Sequence, residues 1–517
     1  MKVALAFSSS LLLTMLAYVE GARILAFFPI GGSSHYSVAE ALLKELAARG
    51  HNVTSITSLP QKKPVPNFRD VDVSGTRGPS ANSLPFEFVR TKLQSTYRNF
   101  HTIANVSRMY CEIAFAQQKV KDVLDEEKYD LVITEIFGAD CGVGFAWKFD
   151  APLISILPPR RTTWSLARVG NPSTPSYMHM AHSSYPQRMD FFQRLINACW
   201  QVYYYVTYFN VHNGEETNRL SRQFFGKDVP PVNDIVFNTS LVFANSHFTI
   251  DTAYPMVPNY IEIAGIHMTK AKPLPKDLQT FMDEAKDGVI YFTLGSLVRV
   301  STMPKETIKA FRDAFAEVPQ KVLWKFELDL EDAPPNVLVS KWFPQIDIFN
   351  HSNLRAYISH GGNSGSIEAV HFGIPMIGIP LFYEQHSVIQ NFVDKGVAVR
   401  LDLNELTKEN ILSAIRTVVN DKGYRERMKQ LSEAYHDRPM SPMETAVYWT
   451  EYVIRHKGAR HLQSVGATLP WYQYLLLDVI GFCLFVIIAS LYVLTSVLKM
   501  LISLVKGFAS PKKIKKN

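Results

Sequence analysis

Cysteine is scarce in this chain: four in 517 residues, and Cys483 falls inside a long apolar run. Cys111, Cys141 and Cys199 remain, an odd number without metal-ligand spacing, so no disulfide framework is expected. No cluster of His, Asp or Glu has divalent-metal spacing either, and no metal site is expected. The first β-α-β pattern lacks G-x-G-x-x-G, which argues against a dinucleotide cofactor. Excess charge is small. Lys and Arg number 54 against 47 Asp and Glu, a net +7, and Lys512, Lys513, Lys515 and Lys516 supply more than half of it. Charge therefore gives no support for a nucleic-acid partner.

Uncharged apolar runs are confined to the two ends. Residues 1–21 carry Lys2, an apolar stretch from Val3 to Leu16 and small residues near the cut point, the pattern of a secretory signal cleaved after Gly21. The run is short for a bilayer, which disfavours an N-terminal anchor. Val479 to Leu498 has no charged residue, with Trp471, Tyr472 and Tyr474 on one flank and Lys499 and Lys506 on the other. That predicts one transmembrane helix, 472–498 with its flank, followed by a basic cytosolic tail over 499–517. Lys513 and Lys515 sit where a dilysine retrieval signal would, though a basic tail on anionic lipid reads equally well. Sequons occur at Asn52, Asn105, Asn238 and Asn350.

Between the ends, two α/β halves are legible. Ile24–Phe28 is an apolar strand, Gly31 to His35 a polar loop, and Val38, Leu42 and Leu46 share one helical face that Gly50 stops. His35 thus sits at the carboxyl end of a first strand, the edge where open α/β sheets bind ligands. Asp130 to Glu135 is another strand, ending in a carboxylate, and Asp140 follows it. From Pro158 to about Phe225 the chain reads as irregular and aromatic-rich, mostly core with a few side chains lining an apolar acceptor cleft. Residues 22–269 form the first domain, 270–284 a linker, and 285–462 a second domain that repeats the architecture, with Gly295-Ser296 as its first loop. A helix over Met443 to His461 is expected to pack back on the first half.

The chemistry concentrates between Trp342 and Gln385. Leu354 to Ile358 is a buried strand, His360-Gly361-Gly362 breaks it, and Ser364 to Phe372 is a helix stopped by Gly373. A strand that ends in glycines and opens a helix suits phosphate, because the backbone can approach and the first N–H groups attract anions.

The ordered set W-x-P-Q, S-H-G-G, G-x-x-E-A, G-I-P-x-x-G-I-P and E-Q in that stretch resembles the donor signature of the UDP-glycosyltransferases, the animal UDP-glucuronosyl/UDP-glucosyltransferase family. The resemblance implies a GT-B fold, two facing Rossmann-like domains, and an inverting transfer from a UDP-sugar to a hydroxyl of a small lipophilic acceptor. It implies an endoplasmic-reticulum membrane protein of type I with lumenal catalytic domains, and allows homo- or hetero-oligomers with related transferases. Trp342 would stack on uracil with Gln345 beside it, and Glu368 would accept from the ribose. Ser296, His360, Ser364 and Gly365 would hold the pyrophosphate, and Glu384 and Gln385 the sugar hydroxyls. His35 would be the general base, oriented by Glu135 or, as fallback, Asp140. The family usually has Asp where Glu135 and Glu384 stand, which also keeps open a catalytically weak, lipophile-binding relative.

No further cofactor is implied; the UDP-sugar is a co-substrate. Family members that use UDP-glucuronic acid carry a basic residue just before P-x-x-P-N. Here Tyr254 precedes Pro255-Met256-Val257-Pro258-Asn259, and Asp251 lies shortly before. A phenol and an acid suit a neutral sugar better than a carboxylate, so UDP-glucose is the expected donor and UDP-glucuronic acid the alternative.

Overall fold

The computed structural model describes residues 21–75, 81–92, 95–126 and 128–509. The expected signal peptide, apart from Gly21, and the terminal lysines lie outside them. The chain divides into two compact units, one ending at Gln463 and one beginning at Ser464.

The first unit holds two parallel sheets. In the seven-stranded sheet the order is Phe68–Asp72, Asn52–Thr57, Arg23–Phe28, Leu131–Glu135, Leu153–Leu157, Leu241–Ala244 and Tyr260–Glu262. In the six-stranded sheet it is Val337–Ser340, Lys321–Lys325, Val289–Thr293, Leu354–Ser359, Met376–Gly378 and Ala398–Arg400. The strands are near-continuous apolar runs because helices cover both faces. Phe27, Val132 and Leu153 face one core of the first sheet, and Ala26, Ile133 and Ile154 the other. Each fully buried Phe, Val, Leu or Ile side chain contributes about 1.5–3 kcal/mol.

Both sheets reverse their winding at one place. The first does so between Arg23–Phe28 and Leu131–Glu135, paired Phe27 to Thr134. The second does so between Val289–Thr293 and Leu354–Ser359, paired Thr293 to Ser359. Loops leaving two such neighbouring strands diverge to opposite faces and open a crevice at their carboxyl ends. His35 and Glu135 lie at the first crevice; Gly295, Ser296 and His360 lie at the second. A short parallel pair, Leu84–Pro85 with Val298–Arg299, ties the halves together, helped by Asn82 N–H donating to the Ser296 carbonyl at 2.6 Å.

One domain edge differs from the sequence reading. Residues 270–284 are not a bare linker: Lys276–Asp283 is a helix whose Leu278 and Met282 are buried with Val289 and Leu354 in the second core. Pro442–Arg455 is a helix that begins with a Ser441/Glu444 capping box and Pro442. It packs back as expected, burying Ala446, Val447 and Val453 against Val38 and Leu42 of the first half. The aromatic-rich region is also more regular than its composition suggests, with a helix over Phe191–Thr207 and another over Glu215–Phe225. The expectation of no disulfide is corrected as well: Cys111, on the helix Thr96–Ala116, is bonded to Cys141.

The second unit contains the helix Leu477–Ala509. Its segment Leu477–Lys506, with a mean hydropathy of 2.5 in its most apolar stretch, is the one described helix long and apolar enough to cross a membrane.

Candidate active site

His35 lies in the first turn of the helix Ser33–Ala48, which starts at Gly32 without a side-chain cap. Its Nδ1 is 2.6 Å from Glu135 Oε1, and the ring meets Phe137 edge-on at 5.0 Å. Burial would lower the imidazole pKa, but the hydrogen bond and charge of Glu135, with the charge of Glu384, raise it above 6.5. A carboxylate on Nδ1 leaves Nε2 as the free nitrogen, so a neutral ring can take a proton there.

Asp140, the fallback partner, is committed elsewhere. Its Oδ1 accepts from Arg168 Nη2 at 2.6 Å, and its Oδ2 accepts from the Tyr208 hydroxyl and from Asn213 Nδ2, each at 2.8 Å. This carboxylate neutralises a buried arginine; it does not reach His35 as a hydrogen-bond partner. The reason is local. Asp140 immediately precedes a tight turn, Cys141–Val143, and its side chain is fully buried against Arg168.

The second half presents its donors at the other crevice. His360 follows the strand Leu354–Ser359, and Gly362 caps the helix Asn363–Phe372, leaving Ser364 and Gly365 in the first turn. Space around the imidazole is tight. A Cβ on Gly295, at φ 79°, would fall 2.6 Å from His360 Cε1, and one on Gly362 would fall 2.6 Å from Nε2. Burial and the nearby Lys325 ammonium push the His360 pKa down to about 4, so it is neutral near pH 7 and offers an N–H without a charge. Ser296 is half-buried, and Ser33 Oγ of the first half is 3.4 Å from its hydroxyl.

Trp342 is 66% exposed, an indole of the kind that stacks on a base, with the Lys325 ammonium 5.8 Å over its ring. Gln345 Nε2 donates to Glu368 Oε2 at 2.5 Å, and Glu368 Oε1 lies 3.1 Å from His267 Nε2. Glu384 and Gln385 open the helix Gln385–Asp394. The Gln385 amide oxygen accepts from the Leu381 and Phe382 N–H groups at 2.9 and 3.1 Å, which leaves its NH₂ group to donate. Burial pushes the Glu384 pKa up to about 7.

The structure thus pairs His35 with Glu135 at the first sheet edge, sets Ser296 and His360 at the second, joins Gln345 to Glu368, and commits Asp140 to Arg168. Others escaped the sequence reading. Lys325 ends a strand and donates from Nζ to the Gly295 carbonyl at 2.8 Å, placing a cation under the Gly295-Ser296 loop; a charge at a buried strand's end was its signal. Asn363 joins the halves, its Nδ2 donating to the Asn245 and Pro158 carbonyls at 2.7 and 3.0 Å. His267 had no local signal. Among the described residues, no group of three or more His, Cys, Asp or Glu could hold a metal.

The family model described as "UDP-glucoronosyl and UDP-glucosyl transferase" matches residues 23–510. UDP-glucosyltransferase 2 of Dactylopius coccus is 59% identical over 498 residues, covering 96% of each chain. The chain belongs to the UDP-glycosyltransferase family. Human UDP-glucuronosyltransferase 2B10 is 32% identical over 479 residues, 88% of this chain and 89% of that one. The calicheamicin glycosyltransferase CalG4 superposes with a TM-score of 0.58 at 18% identity, covering 84% of this chain and 99% of its own. An anthocyanidin 3-O-glucosyltransferase solved with UDP gives 0.53 at 16%, covering 85% and 100%. These neighbours share the GT-B fold, and the chain is an enzyme of that class.

The loop before Asn259 differs from its sequence reading. Asp251 does not offer its acid to a sugar. It is buried in an ion pair with both Arg160 and Arg161, the latter at 2.8 Å, and the Arg161 guanidinium lies 3.6 Å over the ring of Tyr254. Cations do stand beside this loop, delivered by the next strand of the first sheet. The loop's composition therefore no longer decides the donor.

Proposed function

We propose that this transferase moves glucose from UDP-glucose to a hydroxyl of a small lipophilic acceptor, with inversion at the anomeric carbon. The observation that carries the mechanism is the His35–Glu135 pair at the sheet edge, with Glu384 of the other half close enough to act on the His35 charge. His35 Nε2 takes the acceptor proton as the oxygen attacks C1, and Glu135 stabilises the imidazolium. Attack opposite an α-linked UDP gives a β-glycoside. Neutral His360, Lys325 and the first-turn N–H groups of Asn363–Phe372 oppose the charge building on the leaving UDP. Gln345 and His267 hold the Glu368 carboxylate for the ribose hydroxyls, and Gln385 donates to the sugar.

The choice of glucose is supported by the 59% identical relative's name. The C-terminal span and the secretory reading of residues 1–21 support an endoplasmic-reticulum protein with lumenal catalytic domains, in a conjugating role. Microsomes containing the expressed chain, given a phenolic acceptor and either UDP-glucose or UDP-glucuronic acid, test the reading through UDP release and product mass. Preference for UDP-glucose is expected. Preference for the glucuronate would overturn the donor, and no transfer from either would favour the lipophile-binding alternative.

A further inference from the structure

The first sheet carries a second built feature at its ligand-binding edge, next to the strand that delivers Glu135. Strand Leu153–Leu157 runs into Pro158-Pro159-Arg160-Arg161, so both arginines leave the carboxyl end of a central strand. Their side chains are 8% and 5% exposed. Two guanidinium groups share one carboxylate, Asp251, and that pairing is incomplete. Arg160 Nη1 and Arg161 Nε are buried and have no hydrogen-bond partner among the described residues. Native proteins rarely leave such donors unmet, because each orphan forfeits its hydration without replacement.

Arg160 and Arg161 line a cavity with Thr162, Thr163, Ser173 and His179, and no carboxylate residue lines it. His179 Nε2 is also buried without a partner. Other acids nearby do not cancel the excess. Glu262 is held by Ser246 at 3.1 Å, and burial raises its pKa; Asp394 accepts from Gln187 N–H at 3.1 Å and from Gln390 at 2.9 Å. Lys395 adds a further ammonium, on the Asp251 carbonyl at 2.8 Å. All the lining except Ser387 comes from the first half, whereas the donor-facing groups Trp342, Gln345, His360 and Glu368 belong to the second. The lining thus belongs almost wholly to the half that carries His35.

We propose that Arg160, Arg161 and His179 form a carboxylate-binding subsite that selects acceptors carrying both a hydroxyl for transfer and an anionic carboxyl group. This rests on the transferase reading above. A bidentate grip from a guanidinium supplies orientation as well as affinity, fixing which hydroxyl meets His35.

The full-length protein in microsomes is assayed with UDP-glucose and pairs of phenols that differ only in a carboxylate or its methyl ester. The acid is expected to be preferred in kcat/KM by about ten- to a hundredfold, the range of a hydrogen bond to a charged group. Arg160→Gln should erase most of that ratio. Because it also disturbs the Asp251 pair, Thr163→Glu is made beside it. That variant places a carboxylate in the cavity with both arginines intact, and should cut the ratio similarly. For the unaltered enzyme, benzoate should compete with the phenol and not with UDP-glucose. Equal turnover of acid and ester, no effect of Thr163→Glu, or no competition by benzoate would overturn the subsite while leaving glucosyl transfer standing. Benzoate competing against the nucleotide sugar would overturn it too, by assigning the cations to the donor. Failure of every phenol with UDP-glucose would instead sink the functional reading.

Discussion

Arg168 Nη2 donates to Asp140 Oδ1 at 2.6 Å, and both side chains are 0% exposed. A buried pair of this kind is costly to break, because the remaining charge has neither partner nor water. Asp140→Asn is therefore expected to lower stability by about 3–5 kcal/mol. Glu135→Gln should leave the melting midpoint near that of the unaltered protein and depress turnover. Thermal denaturation and kcat measured on both variants check this; a stable Asp140→Asn enzyme with lost turnover would restore Asp140 to the catalytic dyad.

His35→Ala should lose about 10²–10⁴ in transfer rate, the usual worth of a general base, with UDP binding retained. The pH profile is a sharper check. The base must be neutral, and its pKa is raised above 6.5, so kcat/KM should fall as pH drops through a limb above that value. Glu135→Gln removes the larger supporting interaction and should move the limb to lower pH; Glu384→Gln should move it less. A limb indifferent to Glu135 would place the base elsewhere.

Gly295 is held at φ 79° directly against the His360 ring. Gly295→Ala costs about 1–2 kcal/mol in backbone conformation, and its methyl group must displace the imidazole. UDP affinity, measured by calorimetry, should weaken. Unchanged affinity would remove His360 from the pyrophosphate site.

Asn363→Ala leaves the buried Asn245 carbonyl unmet, at about 1–3 kcal/mol, and takes one of two donors from the Pro158 carbonyl, which keeps Asn245 Nδ2 at 3.1 Å. The melting midpoint should fall, and proteolysis within 268–276 should quicken. An unaltered cleavage rate would mean the halves do not depend on this bond.

The strands Arg23–Phe28, Leu131–Glu135 and Leu354–Ser359 were legible because central parallel strands are bare apolar runs that end in distinctive groups. Arg23–Phe28 and Leu354–Ser359 announce themselves, and so do the His35 loop and the His360 glycines that follow them. The helix Phe191–Thr207 was not. It exposes Phe191 and Phe192 at 63% and 70% and buries Tyr204, so aromatic residues on both faces hide the period. Its capping box, Asp190 with Gln193, was the readable start. The Cys111–Cys141 bond, His267 beside Glu368 and the Arg160–Asp251 pair join residues far apart in sequence. Such contacts exist only after the sheet has wound, and no local pattern encodes them.

The return of Pro442–Arg455 onto the first half has a consequence for how the protein is made. Domains generally fold in the order in which they leave the ribosome. Here the first domain emerges without Ala446, Val447 and Val453, which complete the core that holds Val38 and Leu42 and are translated last in the catalytic unit. Completion of the earliest-made core waits on the latest-made helix. The nascent chain must keep an apolar surface out of contact with its neighbours throughout synthesis of the second domain, and a fragment ending before Ser441 would never lose it.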